Sequence, residues 1–284
     1  MKIKMAPFDY INYFILGIFC FLTLYPFWYI LIISFSTTKV YYSDWLHIIP
    51  KSFSLDAYKY NFQNNQVFLS FLTSVVVTVS GTIISILLTS MTAHFLAKKD
   101  IKGRNFIFIL FIISMFIHGG LIPSYVLITK LGMRNTIFAL FIPLSINNYF
   151  LILTKNYFSN MSPSLEESAR LDGANELIIL FRIIIPVAKP MIATIALYYA
   201  VQFWNDWFSP MLYLSNQKMY PLSLYLRGLI SAATSSIDTG DYTSGSPATI
   251  RAAVIIITIT PIICVYPFLQ KHFVKGIMLG AVKE

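Results

Sequence analysis

In the stretch "EESARLDGANELIILFRIIIPVAKP", residues 166–190, Glu166, Glu167, Arg170 and Asp172 crowd together in a chain that is otherwise mostly apolar. The small residues Ala169, Gly173 and Ala174 stand among them. That pattern suits recognition more than bond-making. Small side chains let another surface come close, and carboxylates give that surface something to pair with. Two other polar groups interrupt apolar runs. Trp204-Asn205-Asp206-Trp207 sets aromatic faces, on which a sugar ring can stack, beside groups that bond hydroxyls. Asn147-Asn148-Tyr149 offers similar chemistry. Nothing catalytic accompanies them. His47, His94, His118 and His272 are scattered, Cys20 and Cys264 lie inside apolar runs, and no metal-ligand or nucleophile–base spacing occurs.

Composition says what kind of element must hold these residues. Hydrophobic residues make up 57% of the 284 and charged residues only 12%. A soluble domain carries about 25% charged residues. Too few charges remain to cover a water-facing surface, so the chain reads as an all-α integral membrane protein. About six apolar runs are long enough to cross a bilayer, which takes about 20 residues each. They are Tyr10–Ile33, Val67–Phe95, Phe106–Ile128, Thr136–Thr154, Met191–Leu214 and Ile250–Phe273. In lipid the backbone must satisfy its own hydrogen bonds, so these runs are helices despite their many Ile and Phe residues. The first is too long for a signal-peptide core and reads as a retained helix. One transmembrane domain, 1–284, is expected to account for the whole chain.

Orientation follows from lysine and arginine at the helix ends. Lys2, Lys4, Lys98, Lys99, Lys102, Arg104, Lys155, Arg170, Arg182, Lys189, Lys271, Lys275 and Lys283 gather on one side. A smaller set, including Lys39, Lys59, Lys130 and Arg227, falls on the other. Both termini and residues 156–190 are therefore expected in the cytoplasm. The net charge of +9 lies in short loops between apolar runs, which speaks for lipid and against nucleic acid as the partner.

Within 156–190 the local signals predict a helix–turn–helix. Ser162-Pro163 is an N-cap followed by proline at the first helical position. Glu166 and Glu167 sit in or near the first turn, where the helix dipole favours negative charge. Asp172-Gly173 ends that helix, with glycine free to turn left-handed. A second helix from about Ala174 carries Leu177, Phe181 and Ile184 on one face, and Pro186 and Pro190 stop it and start the next span. The residues alone equally allow a solvated cytoplasmic loop. The Trp204–Trp207 cluster also fits an aromatic belt at the outer interface. Asn147, Asn148 and Tyr149 also fit interhelical hydrogen bonding. His118 before Gly119-Gly120 is explained by a bend.

Glu167-Ser168-Ala169, then Asp172-Gly173-Ala174, then Pro186, resembles the EAA loop of ABC-importer permeases, with Ser168 replacing the usual first alanine. "HGGLIPSYVLITKLGMRNT" (residues 118–136), "WNDWF" (204–208) and the tail "KHFVKGIMLGAVKE" are similar to carbohydrate-uptake permeases of the maltose-transporter class, in particular their MalG-like and LplC-like half. The resemblance implies a type I ABC importer permease fold and uptake of a sugar, an oligosaccharide from a complex polysaccharide. It implies a second homologous permease, two cytoplasmic ATPase subunits and an extracytoplasmic solute-binding protein as partners, in a bacterial cell membrane. It makes Glu166, Glu167, Ala169, Asp172, Gly173 and Ala174 the ATPase-coupling residues. ATP and Mg would be held by the ATPase, in keeping with the lack of a phosphate loop here.

Two other functions compete. A proton- or sodium-driven carrier places several ionisable groups in the membrane, and this chain offers little besides Asp206. A membrane enzyme needs a catalytic motif that is absent.

Overall fold

The computed structural model describes residues 7–43, 47–117, 119–239 and 248–281, and all regular structure among them is helical. The chain divides into two compact units, one from residues 1–68 and 225–260, the other from 69–224 and 261–284.

The first unit is built on α1 (Pro7–Ser34) and α2 (Asp56–Gln63). Only 6% of the most apolar window of α1 is buried. A helix that is hydrophobic all round and left uncovered has lipid, not water, as its solvent. Pro26 lies inside it without ending it, as helices in a bilayer tolerate. Polar side chains hold the rest of this unit together. The Tyr58 hydroxyl donates to Ser34 Oγ at 2.8 Å, tying α2 to the last turn of α1, and Asn61 Nδ2 donates to the carbonyls of Ala57 and Ile250 at 2.9 and 3.2 Å.

The spine of the second unit is α3 (Asn65–Ala97), 33 residues and about 50 Å long at 1.5 Å per residue. Its Val75-Val76-Val77 run would suit a strand in water, but hydrocarbon forces the backbone to bond within itself. The Asn64 side-chain oxygen accepts the Gln66 N–H at 2.9 Å at its start. At its end the Arg104 guanidinium donates to the Lys98 carbonyl at 3.0 Å, a basic residue on the negative end of the helix.

The apolar runs at 106–128, 136–154 and 191–214 are each interrupted. The first becomes α4 (Arg104–Phe116) and α5 (Leu121–Lys130), separated at Gly120 with φ +86°; His118 lies outside the described residues. The second becomes a short turn, Phe138–Phe141, and α6 (Asn148–Ser159). Beyond α7 (Ser164–Leu171) and α8 (Glu176–Val187), the third becomes α9 (Lys189–Asn205) and α10 (Phe208–Tyr213). Then come α11 (Leu222–Thr239) and α12 (Ala248–Ala281). By length and composition two described helices can cross a membrane, α1 and α3, or three if α8 and α9, bent by 88°, count as one broken span.

Two apolar clusters position the polar groups. Ala93 and Leu96 of α3 pack with Leu151, Ala169, Ile179 and Leu180 under the 156–190 segment. Val77 packs with Phe141, Phe150, Ile195, Tyr199 and Phe203 along α9. Gly81 lets α3 approach its neighbours closely, because a Cβ there would lie 2.9 Å from both Phe141 Cβ and the Phe203 ring. Gly81→Val is therefore expected to overpack this contact and cost about 1–3 kcal/mol. A lowered thermal midpoint in detergent is the expected reading, and an unchanged midpoint contradicts the packing.

Candidate functional site

The polar segment folds as a helix–turn–helix. Ser162 lends its carbonyl to the Leu165 N–H at 3.2 Å, but its hydroxyl bonds the Ser164 hydroxyl and caps no backbone N–H. Pro163 already has helical dihedrals, φ −57° and ψ −29°. The far end is a Schellman turn. The Ala174 N–H donates to the Ala169 carbonyl and the Gly173 N–H to the Arg170 carbonyl, both at 3.0 Å, with Gly173 at φ +82°. A Cβ at Gly173 would meet nothing within 4 Å. The glycine is required by the dihedral angle and leaves the surface over it open.

The second helix starts two residues later than its sequence signals, at Glu176, because Asn175 caps it through its side-chain oxygen, accepting the Ile178 N–H at 2.9 Å. Its buried face is Ile179, Leu180 and Ile184, and Leu177 and Phe181 of the expected stripe are exposed at 55% and 41%. The cause is a π turn over Ile179–Ile184, in which the Ile185 N–H reaches back five residues to the Leu180 carbonyl. The wider turn brings residues five apart onto one face and precedes Pro186, which has no N–H to give an α-helix.

The neighbouring glutamates diverge. Glu167 is exposed, as are Leu171, Asp172 and Gly173. Glu166 turns inward to a charged ring that the sequence did not reveal. Lys98, just past α3, pairs with Glu166 at 3.4 Å and with Glu176; Arg170 pairs with Glu166 at 3.3 Å and Glu176 at 3.2 Å. Charges alternate around the four. His94, one turn before Lys98, lies 3.2 Å from Glu176 and 3.8 Å from Glu166. Burial pushes the Glu176 carboxyl up, but hydrogen bonds from Lys98 and His94 and the charges of Lys98 and Arg170 outweigh it and hold it below the ordinary carboxylate value. A carboxyl whose pKa falls on folding stabilises the fold above its unfolded value and loses that contribution as pH drops through the folded one. The Glu176 contribution is therefore present at neutral pH and lost in acid. His94, Glu166 and Glu176 also present ligand-type atoms within 4.8 Å of one another. Lys98 and Arg170 already supply the cations that balance them. The i, i+4 spacings of His94 with Lys98 and of Glu166 with Arg170 are the local signs of this ring, and the two pairs lie far apart along the chain.

Ala169 is buried at 7% and packs into the core of its own chain, while Ala174 is half-buried against the same cluster. The small side chain at 169 thus lets α7 settle onto α3 and α8.

The other two polar groups occur where apolar runs break. Asn147 accepts the N–H groups of Tyr149 and Phe150 at 3.0 and 3.4 Å, capping α6. Its own N–H donates to the Tyr199 hydroxyl at 3.0 Å, which bonds Thr89 at 2.7 Å. Asn148 donates to Ser114 at 2.7 Å, and Tyr149 is 56% exposed. Asp206 Oδ1 accepts the N–H groups of Phe208 and Ser209 at 3.0 and 3.1 Å, starting α10, while its Oδ2 is buried with no hydrogen-bond partner among the described residues. Trp204 is buried edge-on against Phe71, Asn205 is exposed, and Trp207 packs edge-on against Phe208. Trp204 also lines an apolar cavity of about 410 Å³ with Thr78, Thr82, Ala200 and Val201. The two groups do not form one cluster. Asn147 meets α9 at Tyr199, and Asp206 lies seven residues on, about 10 Å at helix rise.

Long apolar helices left uncovered, with the charged groups gathered on one helix–turn–helix, describe a membrane protein. No family model matches the chain. It is 40% identical, over 99% of both chains, to the polygalacturonan/rhamnogalacturonan transport system permease protein YtcP of Bacillus subtilis (strain 168). It is 41% identical to protein LplC of the same organism, over 97% of this chain and 95% of that one. Its fold matches a chain of a bacterial ABC transporter involved in the import of the acidic polysaccharide alginate, with TM-score 0.86 and 31% identity, covering 96% of this chain and all of the other. The chain belongs to the permease subunits of ABC sugar importers. It is a membrane protein and not itself an enzyme: separate ATPase subunits hydrolyse ATP, and a solute-binding protein works with the system.

The cap at Asp206 can be tested apart from transport. Asp206→Ala removes the acceptor of two N–H groups and is expected to destabilise by about 0.5–2 kcal/mol. Asp206→Asn keeps an oxygen there and should unfold near the wild-type midpoint in detergent. Equal losses in both variants contradict the capping role.

Proposed function

We propose that this permease pairs with a second, homologous permease, crosses the bacterial cytoplasmic membrane several times with both termini inside, and imports an oligosaccharide released from a complex polysaccharide. The observation that carries the substrate class is the full-length 40% identity to a permease named for polygalacturonan/rhamnogalacturonan transport. The alginate importer, also handling an acidic polysaccharide, points the same way. A solute-binding protein delivers the glycan on the outer side. ATP and Mg belong to the ATPase subunits, not to this chain.

Residues 156–190 are, in this reading, the EAA loop that seats in an ATPase cleft. Support comes from the exposed rim of Glu167, Leu171, Asp172 and Gly173, where Leu171 is 89% exposed. An apolar side chain that bare, beside two carboxylates and an open glycine, suits a protein partner. Asp206 Oδ2, with its second oxygen spent on the cap, is the best-placed acceptor for a sugar hydroxyl. Because Asp206→Asn keeps the cap, a loss of uptake in that variant reads on Oδ2 alone. Trp204, Asn205, Trp207 and Asn147 to Tyr149 complete the proposed substrate path.

The deciding experiment purifies the assembled importer in lipid nanodiscs with its solute-binding protein. Hydrolysis is measured with oligogalacturonides, rhamnogalacturonan fragments, alginate oligosaccharides and arabino-oligosaccharides. Stimulation by an acidic member is expected; stimulation only by a neutral one overturns the substrate class. In the same preparation Gly173→Glu adds a side chain at φ +82°, at roughly 1–2 kcal/mol of strain, and places it where the ATPase must approach. The permease is expected to reach the membrane without retaining its ATPase, and uptake is lost. Normal ATPase retention by that variant contradicts the EAA reading. Reporter fusions after Lys99 and Asn160 should both read cytoplasmic and one at Gln217 external; any reversal overturns the orientation.

A further inference from the structure

We propose that Lys98, with His94 beside it, is the ionic seat through which the helical turn moves α3, so that these two are positioning residues for transport. The proposal rests on the reading of residues 156–190 as the ATPase-coupling loop.

The ring is built unevenly. The Lys98 side chain is 9% exposed and that of Glu166 24%, against 43% for Arg170 and 56% for Glu176. The outer pairs are screened by solvent and contribute little to stability. A buried cation is a poor stabiliser too, since taking it out of water offsets most of its attraction. Holding the turn onto α3 needs no charge at all, because Ala93 and Leu96 already pack against Ala169, Ile179 and Leu180.

What the charges add is direction. Apolar contact is non-directional and allows one surface to slide over another. Lys98 pairs with Glu166 on α7 and with Glu176 on α8, so it grips both helices of the turn at once. His94, 6% exposed, touches the same two carboxylates from one turn earlier on α3. Neither helix of the turn can shift or rotate without pulling on α3. Further along that helix, Thr89 bonds the Tyr199 hydroxyl of α9, which also receives the Asn147 N–H at the start of α6. Beyond Thr89, α3 lines the apolar cavity at Thr82 and Thr78. A push on the turn thus has a continuous mechanical route to the cavity wall.

The test asks whether α3 feels the ATPase through Lys98. Thr82→Cys is introduced into the full complex with Cys20→Ser and Cys264→Ser, and its labelling by a small thiol reagent is read on this chain by mass spectrometry, without nucleotide and with ATP plus solute-binding protein. The labelling rate is expected to change by roughly fivefold or more, the low end of ordinary coupling between sites. No change in this background overturns the proposal. Lys98→Met should abolish the response while the ATPase still co-purifies and hydrolyses ATP, and Lys98→Arg should restore it. Because Lys98→Met leaves two carboxylates facing Arg170 as their one remaining full cation, a double variant with Glu176→Gln restores the charge balance; it should remain unresponsive, and recovery of its response overturns the proposal. Loss of ATPase retention in Lys98→Met also overturns it, because the ring would then build the docking surface instead of transmitting from it. Gly173→Glu separates the two readings. If that variant keeps both its ATPase and the labelling response, the coupling-loop reading fails. If it loses both while Lys98→Met responds normally, that reading stands and the role of Lys98 falls.

Discussion

Backbone N–H and C=O groups in hydrocarbon find no water, so a chain of this composition must close every helix end with its own atoms. That constraint organises the polar chemistry of the second unit. Asn147 closes the start of α6 and Asp206 the start of α10; Asn175 caps α8 in the same way outside the apolar runs. Asn135, itself at φ +59°, accepts the N–H groups of Ser215 and Asn216, where the chain leaves α10. Two of the three interrupted apolar runs therefore carry an amide or a carboxylate at the break, Asn147 and Asp206, and each of these side chains has one oxygen already committed. Whatever remains on that side chain, as Oδ2 does on Asp206, can serve a ligand without unravelling the helix it starts.

The same constraint explains what was legible in the sequence. The apolar runs at 10–33 and 67–95 became α1 and α3 with shifts of only a few residues, because nothing in them competes with the helix. The three runs that broke contain their own signals: Gly119-Gly120, Pro143 with Asn147, and Asp206. Asn147 and Asp206 read as groups for sugar hydroxyls, yet their first duty is to the backbone. An amide or carboxylate inside an apolar run satisfies both descriptions, and sequence alone does not rank them. The π turn ahead of Pro186 was hidden for a different reason. A stripe counted at 3.6 residues per turn selects Leu177, Phe181 and Ile184, and widening the helix replaces it with Ile179, Leu180 and Ile184.

The closure of the charged ring was beyond sequence reading. Its lysine and its two acids are separated by more than sixty residues of chain, and no local period connects them. Lys98 in isolation reads as one of several cytoplasmic cations that orient the helices. Only the fold shows that its side chain is covered and its charge is spent on Glu166 and Glu176. The membrane-orienting role and the ring do not conflict, since both require the cation at the same end of α3.

Glu166 and Glu167 show how one short helix can be held and presented together. Successive residues of an α-helix point about 100° apart, so adjacent glutamates cannot share a partner. Glu166 faces the ring and fastens α7 to its own chain, while Glu167 faces outward with Leu171 and Asp172. Ala169 lies on the held side, where its small size allows α7 to settle, and Gly173 ends the helix on the presented side with nothing above it. A turn fastened only by apolar contact would dock but slip, and one fully buried in charge would hold but present nothing. Splitting the two acids across the helix meets both demands within a single turn.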